Sequence, residues 1–188
     1  MEAFLVSTGL VALAEMGDKT QLLALVLATR LKKPLPICLG IFAATLINHA
    51  CAAAVGQWLT LHLGEQALRW ILGISFLAMA AWMMIPDKLD EDDEPKVQRF
   101  GVFLTTTIAF FIVEMGDKTQ IATVALAARF SDLVSVVIGT TLGMMLANAP
   151  VVYFGERITR LVPLKWVHGT CAAIFVLLGL FALFSPGP

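Results

Sequence analysis

Glu15, Asp18, Lys19, Thr20 and Gln21 recur as Glu114, Asp117, Lys118, Thr119 and Gln120. Both sets belong to the heptapeptide Glu-Met-Gly-Asp-Lys-Thr-Gln, found at 15–21 and 114–120, 99 positions apart. A spacing of three puts each Glu and Asp on one helix face. Both copies lie in long apolar stretches, where charge is costly and persists mainly where it serves a function. Four carboxylates with hydroxyl and amide oxygens form a hard-cation site, suited to Ca²⁺, Mg²⁺ or Mn²⁺. Cys38, Cys51 and Cys171 form no Cys-x-x-Cys pair. They read as small packing residues rather than ligands or disulfides.

Gly17 and Gly116 stand between the carboxylates of each pair. A glycine there lets a helix break or another backbone approach. A break at mid-membrane frees carbonyls for an ion if they line a cavity. Leucine at Gly116 is expected to be severe because it would fill the space where two halves meet. Asn48 and His49, and Asn148, which aligns with His49 at the same offset of 99, are further candidate ligands. One imidazole nitrogen would tilt the site toward Mn²⁺; a packed, hydrogen-bonded histidine is the plainer reading.

These groups must be held by membrane helices. The chain has 188 residues, 59% of them hydrophobic and 14% charged, whereas soluble domains carry about 25% charged residues. Six apolar stretches approach or exceed the ~20 residues of a crossing: 4–29, 35–61, 67–85, 100–128, 133–154 and 166–184. The first is long for one crossing, which fits a kink, a tilt or two half-helices. An acidic Met-Glu start and Glu15 and Asp18 further on argue against a cleaved signal peptide. The expected fold is all-α and membrane-integral, with six transmembrane helices.

The likeness extends beyond the heptapeptides. At the same offset Phe4-Leu5 matches Phe103-Leu104, Arg30 matches Arg129, Gly40 matches Gly139 and Gly56 matches Gly155. At an offset of 96, Leu68-Arg69-Trp70-Ile71 matches Leu164-Lys165-Trp166-Val167, and Gly73 matches Gly169. The expected organisation is a three-helix repeat at 1–86, a linker at 87–99 and a second three-helix repeat at 100–188. Three is odd, so the second half enters the membrane from the opposite side, as inverted repeats do.

Arg30, Lys32, Lys33, Lys88, Lys96, Arg99, Arg157, Arg160 and Lys165 fall on one side of that topology; Arg69 and Arg129 fall on the other. The positive-inside rule places the nine in the cytoplasm and both termini outside. Trp58, Trp70, Trp82 and Trp166 sit near span ends, as interfacial belts do. The linker's run Asp90-Glu91-Asp92-Asp93-Glu94-Pro95 reads as a solvated connector, or as a weak cation collector.

Four carboxylates and two lysines leave the site two negative charges, which one divalent cation or about two protons would neutralise. Metal and protons would then compete for the same oxygens, an exchange chemistry. This balance requires both lysines to face the site. The bland alternative is ion pairing that merely holds the bundle, with Glu15–Lys19 and Glu114–Lys118 at i, i+4. Surplus buried acid argues against it, because buried pairs often return less than they cost.

The doubled Glu-x-Gly-Asp-Lys-Thr signature resembles the family of small membrane cation exchangers that includes bacterial manganese exporters and Golgi Mn²⁺/Ca²⁺–proton antiporters. The resemblance covers nearly the whole chain, and both motifs match in full. It implies an exporter of divalent cations, chiefly Mn²⁺, in exchange for protons, multi-pass in a bacterial inner membrane. Glu15, Asp18, Glu114 and Asp117 would bind the ion, supported by Thr20, Thr119, Gln21 and Gln120. The ion would be cargo, with no resident cofactor. The partners implied are the metal ion and the bilayer, without nucleic acid; a homo-oligomer is open. A Ca²⁺/H⁺ exchanger and a cation channel with acidic rings remain alternatives. No nucleophile–base set or His-Glu-x-x-His motif points to an enzyme.

Overall fold

A computed structural model describes residues 1–85, 101–155 and 163–184. The expected acidic linker lies outside the described residues, as do Arg157 and Arg160. Among the described residues every regular element is an α-helix. We number them α1 (Glu2–Glu15), α2 (Lys19–Leu31), α3 (Pro34–His62), α4 (Glu65–Met83), α5 (Val102–Glu114), α6 (Lys118–Phe130), α7 (Leu133–Phe154) and α8 (Leu164–Phe184). Four of these, α3, α4, α7 and α8, are long and apolar enough to cross a membrane.

The stretches at 4–29 and 100–128 are not continuous helices. Each splits at its heptapeptide, into α1 and α2 and into α5 and α6. The physical cause is local. Gly17 and Gly116 adopt φ of +82° and +77°, a left-handed conformation that costs other residues roughly 1–2 kcal/mol. Asp18 and Asp117 follow in extended conformation as the N-caps of α2 and α6, a position that short acidic side chains favour. The likeness of the two halves continues where the residues differ. α2 ends on Lys32 at φ 53° and α6 on Ser131 at φ 51°, both left-handed and 99 positions apart.

Packing is close because glycines face backbone. A Cβ on Gly40 of α3 would stand 2.8 Å from the Phe103 carbonyl of α5; one on Gly139 of α7 would stand 2.7 Å from the Phe4 carbonyl of α1. These four residues form two pairs related by the offset of 99. Small residues at such contacts let membrane helices approach without a hydrophobic driving force. α4 and α8 form an antiparallel pair: Gly179 packs on Leu77, and the Phe76 and Phe175 rings are 6.2 Å apart. That pair packs on α1 and α6, and much less on α2 or α5 among the described residues. The buried apolar residues divide accordingly. One cluster joins Leu10, Phe76, Ala125 and Phe175; the other joins Leu23, Ile41, Phe110 and Met144.

Candidate metal centre

The two helix breaks bring the heptapeptides together. Glu15 ends α1, Glu114 ends α5, and the Asp residues begin the helices that follow. Glu15, Asp18, Glu114 and Asp117 are all buried. Glu15, Glu114 and Asp117 each offer an oxygen, all within 4.8 Å of one another. Asp18, expected among them, lies outside that trio. Its Oδ1 is 3.9 Å from Lys118 Nζ and its Oδ2 is 3.5 Å from the Thr20 hydroxyl.

Each threonine donates to the Glu of its own motif: Thr20 Oγ1 to Glu15 Oε2, and Thr119 Oγ1 to Glu114 Oε1 at 2.6 Å. The threonines therefore orient the carboxylates from one turn into the next helix. The lysines cross between motifs. Lys19 Nζ is 3.2 Å from Asp117 Oδ1, and Lys118 approaches Asp18. These contacts differ from the i, i+4 Glu–Lys pairing considered for a purely structural role. Lys118 Nζ also donates to the Ile85 carbonyl at 3.3 Å and lies over the Trp82 ring.

Gln21 and Gln120 do other work. Their Oε1 atoms accept from the backbone N–H of Gly17 and Gly116, at 2.9 and 2.7 Å. Each thus satisfies a donor that the break would orphan. Gln21 Nε2 also donates to the Ala147 carbonyl of α7 at 3.1 Å. Asn48 donates to the Phe111 carbonyl at 3.1 Å, so it ties α3 to α5. His49 and Asn148 do reach the carboxylates, each across to the other motif. His49 Nε2 is 3.5 Å from Glu114 Oε1, and Asn148 Nδ2 donates to Glu15 Oε2 at 3.4 Å.

Several buried polar atoms have no hydrogen-bond partner among the described residues: Glu15 Oε1, Glu114 Oε2, His49 Nδ1, Asn148 Oδ1 and Thr45 Oγ1. An unmet buried polar atom costs about 1–3 kcal/mol, more when charged. A cation taken up by the carboxylate oxygens would offset part of that cost.

Gly116 corrects one expectation. Among the described residues no atom lies within 4 Å of a Cβ built there, so none of them closes on it. It is required by backbone conformation alone. Gly17 is the crowded one, with Leu164 side-chain carbons at 3.0 Å. Sequence reasoning missed His168, whose Nε2 stands 2.7 Å from the Met16 carbonyl at the first break. Its signal was available: at the offset of 96 it replaces Leu72, one polar ring where the other half is apolar.

The family model for the divalent cation/proton antiporter GDT1 matches residues 3–91 and 102–187. A Vibrio cholerae protein named "Putative manganese exporter" is 49% identical over 185 residues, covering 98% of this chain and 92% of that one. GDT1-like protein 5 of Arabidopsis thaliana is 23% identical over 223 residues, covering 99% and 97%. GDT1-like protein 4 of Oryza sativa subsp. indica is 28% identical over 211 residues, covering 98% and 73%. No solved structure matches the chain.

Proposed function

This chain belongs to the GDT1 family of divalent cation/proton antiporters, and from that premise we propose that it exports Mn²⁺ from the cytoplasm in exchange for protons. The single observation that carries the reading is the convergence of Glu15, Glu114 and Asp117, drawn from both heptapeptides, within 4.8 Å in a buried setting. Carboxylate oxygens at this spacing suit a hard divalent cation. The ion named for the Vibrio cholerae relative favours Mn²⁺ as cargo.

The charge balance supports exchange. Lys19 and Lys118 offset Asp117 and Asp18, which leaves Glu15 and Glu114 as the two uncompensated carboxylates. One Mn²⁺, or about two protons, makes the centre neutral. Protons entering from outside would displace the metal from these two groups. The threonines hold each Glu in place for either occupant.

The access route follows from an inverted-repeat reading, with six crossings, both termini outside and repeats at 1–86 and 100–188. On that reading α1 and α6 are the outer half-helices and α2 and α5 the inner ones. The α4–α8 pair rests on the outer halves, so the centre is reached from the cytoplasm. Exchanging the roles of the repeats moves the pair onto α2 and α5 and opens the centre outward. Inverted repeats make both arrangements available at similar energy.

The test is Mn²⁺ flux in liposomes under an imposed pH gradient, with Ca²⁺ as competitor and Asp117→Asn as control. Gradient-driven Mn²⁺ flux that disappears in the variant supports the exchanger. Flux indifferent to the gradient would instead make it a channel. Preferential Ca²⁺ flux would change the cargo and keep the mechanism.

A further inference from the structure

The two halves are not chemically equal at the metal centre. Position 49 on α3 and position 148 on α7 correspond at the offset of 99, and both reach a glutamate of the opposite motif. One is histidine and the other asparagine. The residue one turn earlier differs as well: Thr45 in the first half, Met144 in the second. On α7 that pair is closed, because Asn148 Nδ2 donates to Met144 Sδ at 2.9 Å. On α3 it is open. His49 Nδ1 and Thr45 Oγ1 are both buried, both without a partner among the described residues, and one turn apart on the same helix face.

We infer that His49 is a ligand that sets ion preference, its Nε2 adding one nitrogen to the oxygens of Glu15, Glu114 and Asp117, with Thr45 holding the ring. The inference rests on the proposed metal centre and names the feature that would make it choose a transition metal. Nε2 stands 3.5 Å from Glu114 Oε1, one member of the carboxylate trio, though outside the 4.8 Å cluster itself. A neutral imidazole carries one N–H, so a metal on Nε2 fixes that hydrogen on Nδ1. Ligating histidines generally donate their second N–H to a nearby acceptor. The Thr45 hydroxyl is the unpartnered acceptor on the same face. Asn148 at the equivalent position can offer only its unpartnered Oδ1, an oxygen that suits Ca²⁺ and Mg²⁺ equally well. Imidazole suits the later first-row metals best; Mn²⁺, mainly a carboxylate and water binder, still accepts one nitrogen more readily than Ca²⁺ or Mg²⁺, which take oxygen. A centre with one nitrogen therefore favours Mn²⁺ over Mg²⁺, which gives up its water reluctantly, and over Ca²⁺.

The experiment is electron paramagnetic resonance of Mn²⁺ bound to the purified full chain, read for nitrogen hyperfine coupling, beside competition of Mn²⁺ with Ca²⁺. Wild type should show coupling to one imidazole nitrogen. His49→Asn, which makes positions 49 and 148 alike, should lose the coupling and lower the Mn²⁺ to Ca²⁺ affinity ratio by about tenfold while still binding Ca²⁺. Thr45→Val should keep the coupling and weaken Mn²⁺ about tenfold, as loss of an orienting partner does. Bound Mn²⁺ with no nitrogen coupling in wild type overturns the inference, even if His49→Asn fails to fold, and leaves the proposed function standing. Wild type that binds no Mn²⁺ overturns both.

Discussion

Lys19 of the first heptapeptide lies 3.2 Å from Asp117 of the second. The contact ties the start of α2 to the start of α6, so the two helix breaks are linked through opposite charges. Lys118 and Asp18 form the reciprocal, looser contact at 3.9 Å. Cross-pairing has a chemical consequence. On the proposed exchange it offsets the two aspartates and leaves the variable charge to Glu15 and Glu114, to which Thr20 and Thr119 donate.

Proton release on metal binding should report that division. Wild type in weakly buffered detergent should release about two protons per Mn²⁺. Glu15→Gln or Glu114→Gln should each lower this to about one, because one titrating carboxylate has gone. A pH trace that registers no release in wild type would end the exchange reading.

The two aspartates should separate in binding assays. Asp117→Asn removes a member of the carboxylate trio and strips Lys19 of its partner, so Mn²⁺ affinity should fall by about 100-fold or more. Asp18→Asn alters a neighbouring ion pair and should cost less, about tenfold, the range of an indirect supporting contact. Calorimetry on both variants checks the order; the reverse order would move the centre toward Asp18.

The glycines at the breaks should differ in stability cost. Gly116→Ala meets no described residue within 4 Å and pays the left-handed backbone term, roughly 1–2 kcal/mol. Gly17→Ala pays that term and also presses on Leu164, 3.0 Å from its Cβ. Thermal unfolding in detergent should show the larger drop in Tm for Gly17→Ala. Equal drops would mean that α8 yields freely at its first turn.

The proposed access from the cytoplasm can be tested by chemistry at Met115, which is 60% exposed beside the second break. A Met115→Cys variant, with Cys38, Cys51 and Cys171 replaced, should react with an impermeant thiol reagent applied from the cytoplasmic face. Mn²⁺ should slow the reaction if it shifts the α4–α8 pair. Reaction from the outer face alone would reverse the assigned orientation of this state.

Much of this molecule was legible in its residues because membranes impose few solutions. Apolar length marks the stretches that become helices, and a repeated heptapeptide marks where two halves must supply matching groups. The breaks at Gly17 and Gly116 were foreshadowed, since glycine between two buried carboxylates is a poor helix interior. Their role was partly misjudged. Gly116 looked like a packing site and proved to be a conformational one, because φ is a property of the folded backbone that residue type only permits.

Sequence alone determined the chemical inventory: paired carboxylates, lysines, threonines and glutamines in two copies, in a chain too apolar for water. Only the tertiary structure decided who meets whom. It drew Glu15, Glu114 and Asp117 together and set Asp18 aside. It also turned Gln21 and Gln120 to the backbone, and set His49 and Asn148 against the glutamates of the opposite motif. The reason is range. Spacing along a helix fixes neighbours three or four residues apart, whereas contacts between residues some 65 to 133 positions apart depend on how α3 and α7 cross the broken helices. Close approach at Gly40 and Gly139 sets that crossing.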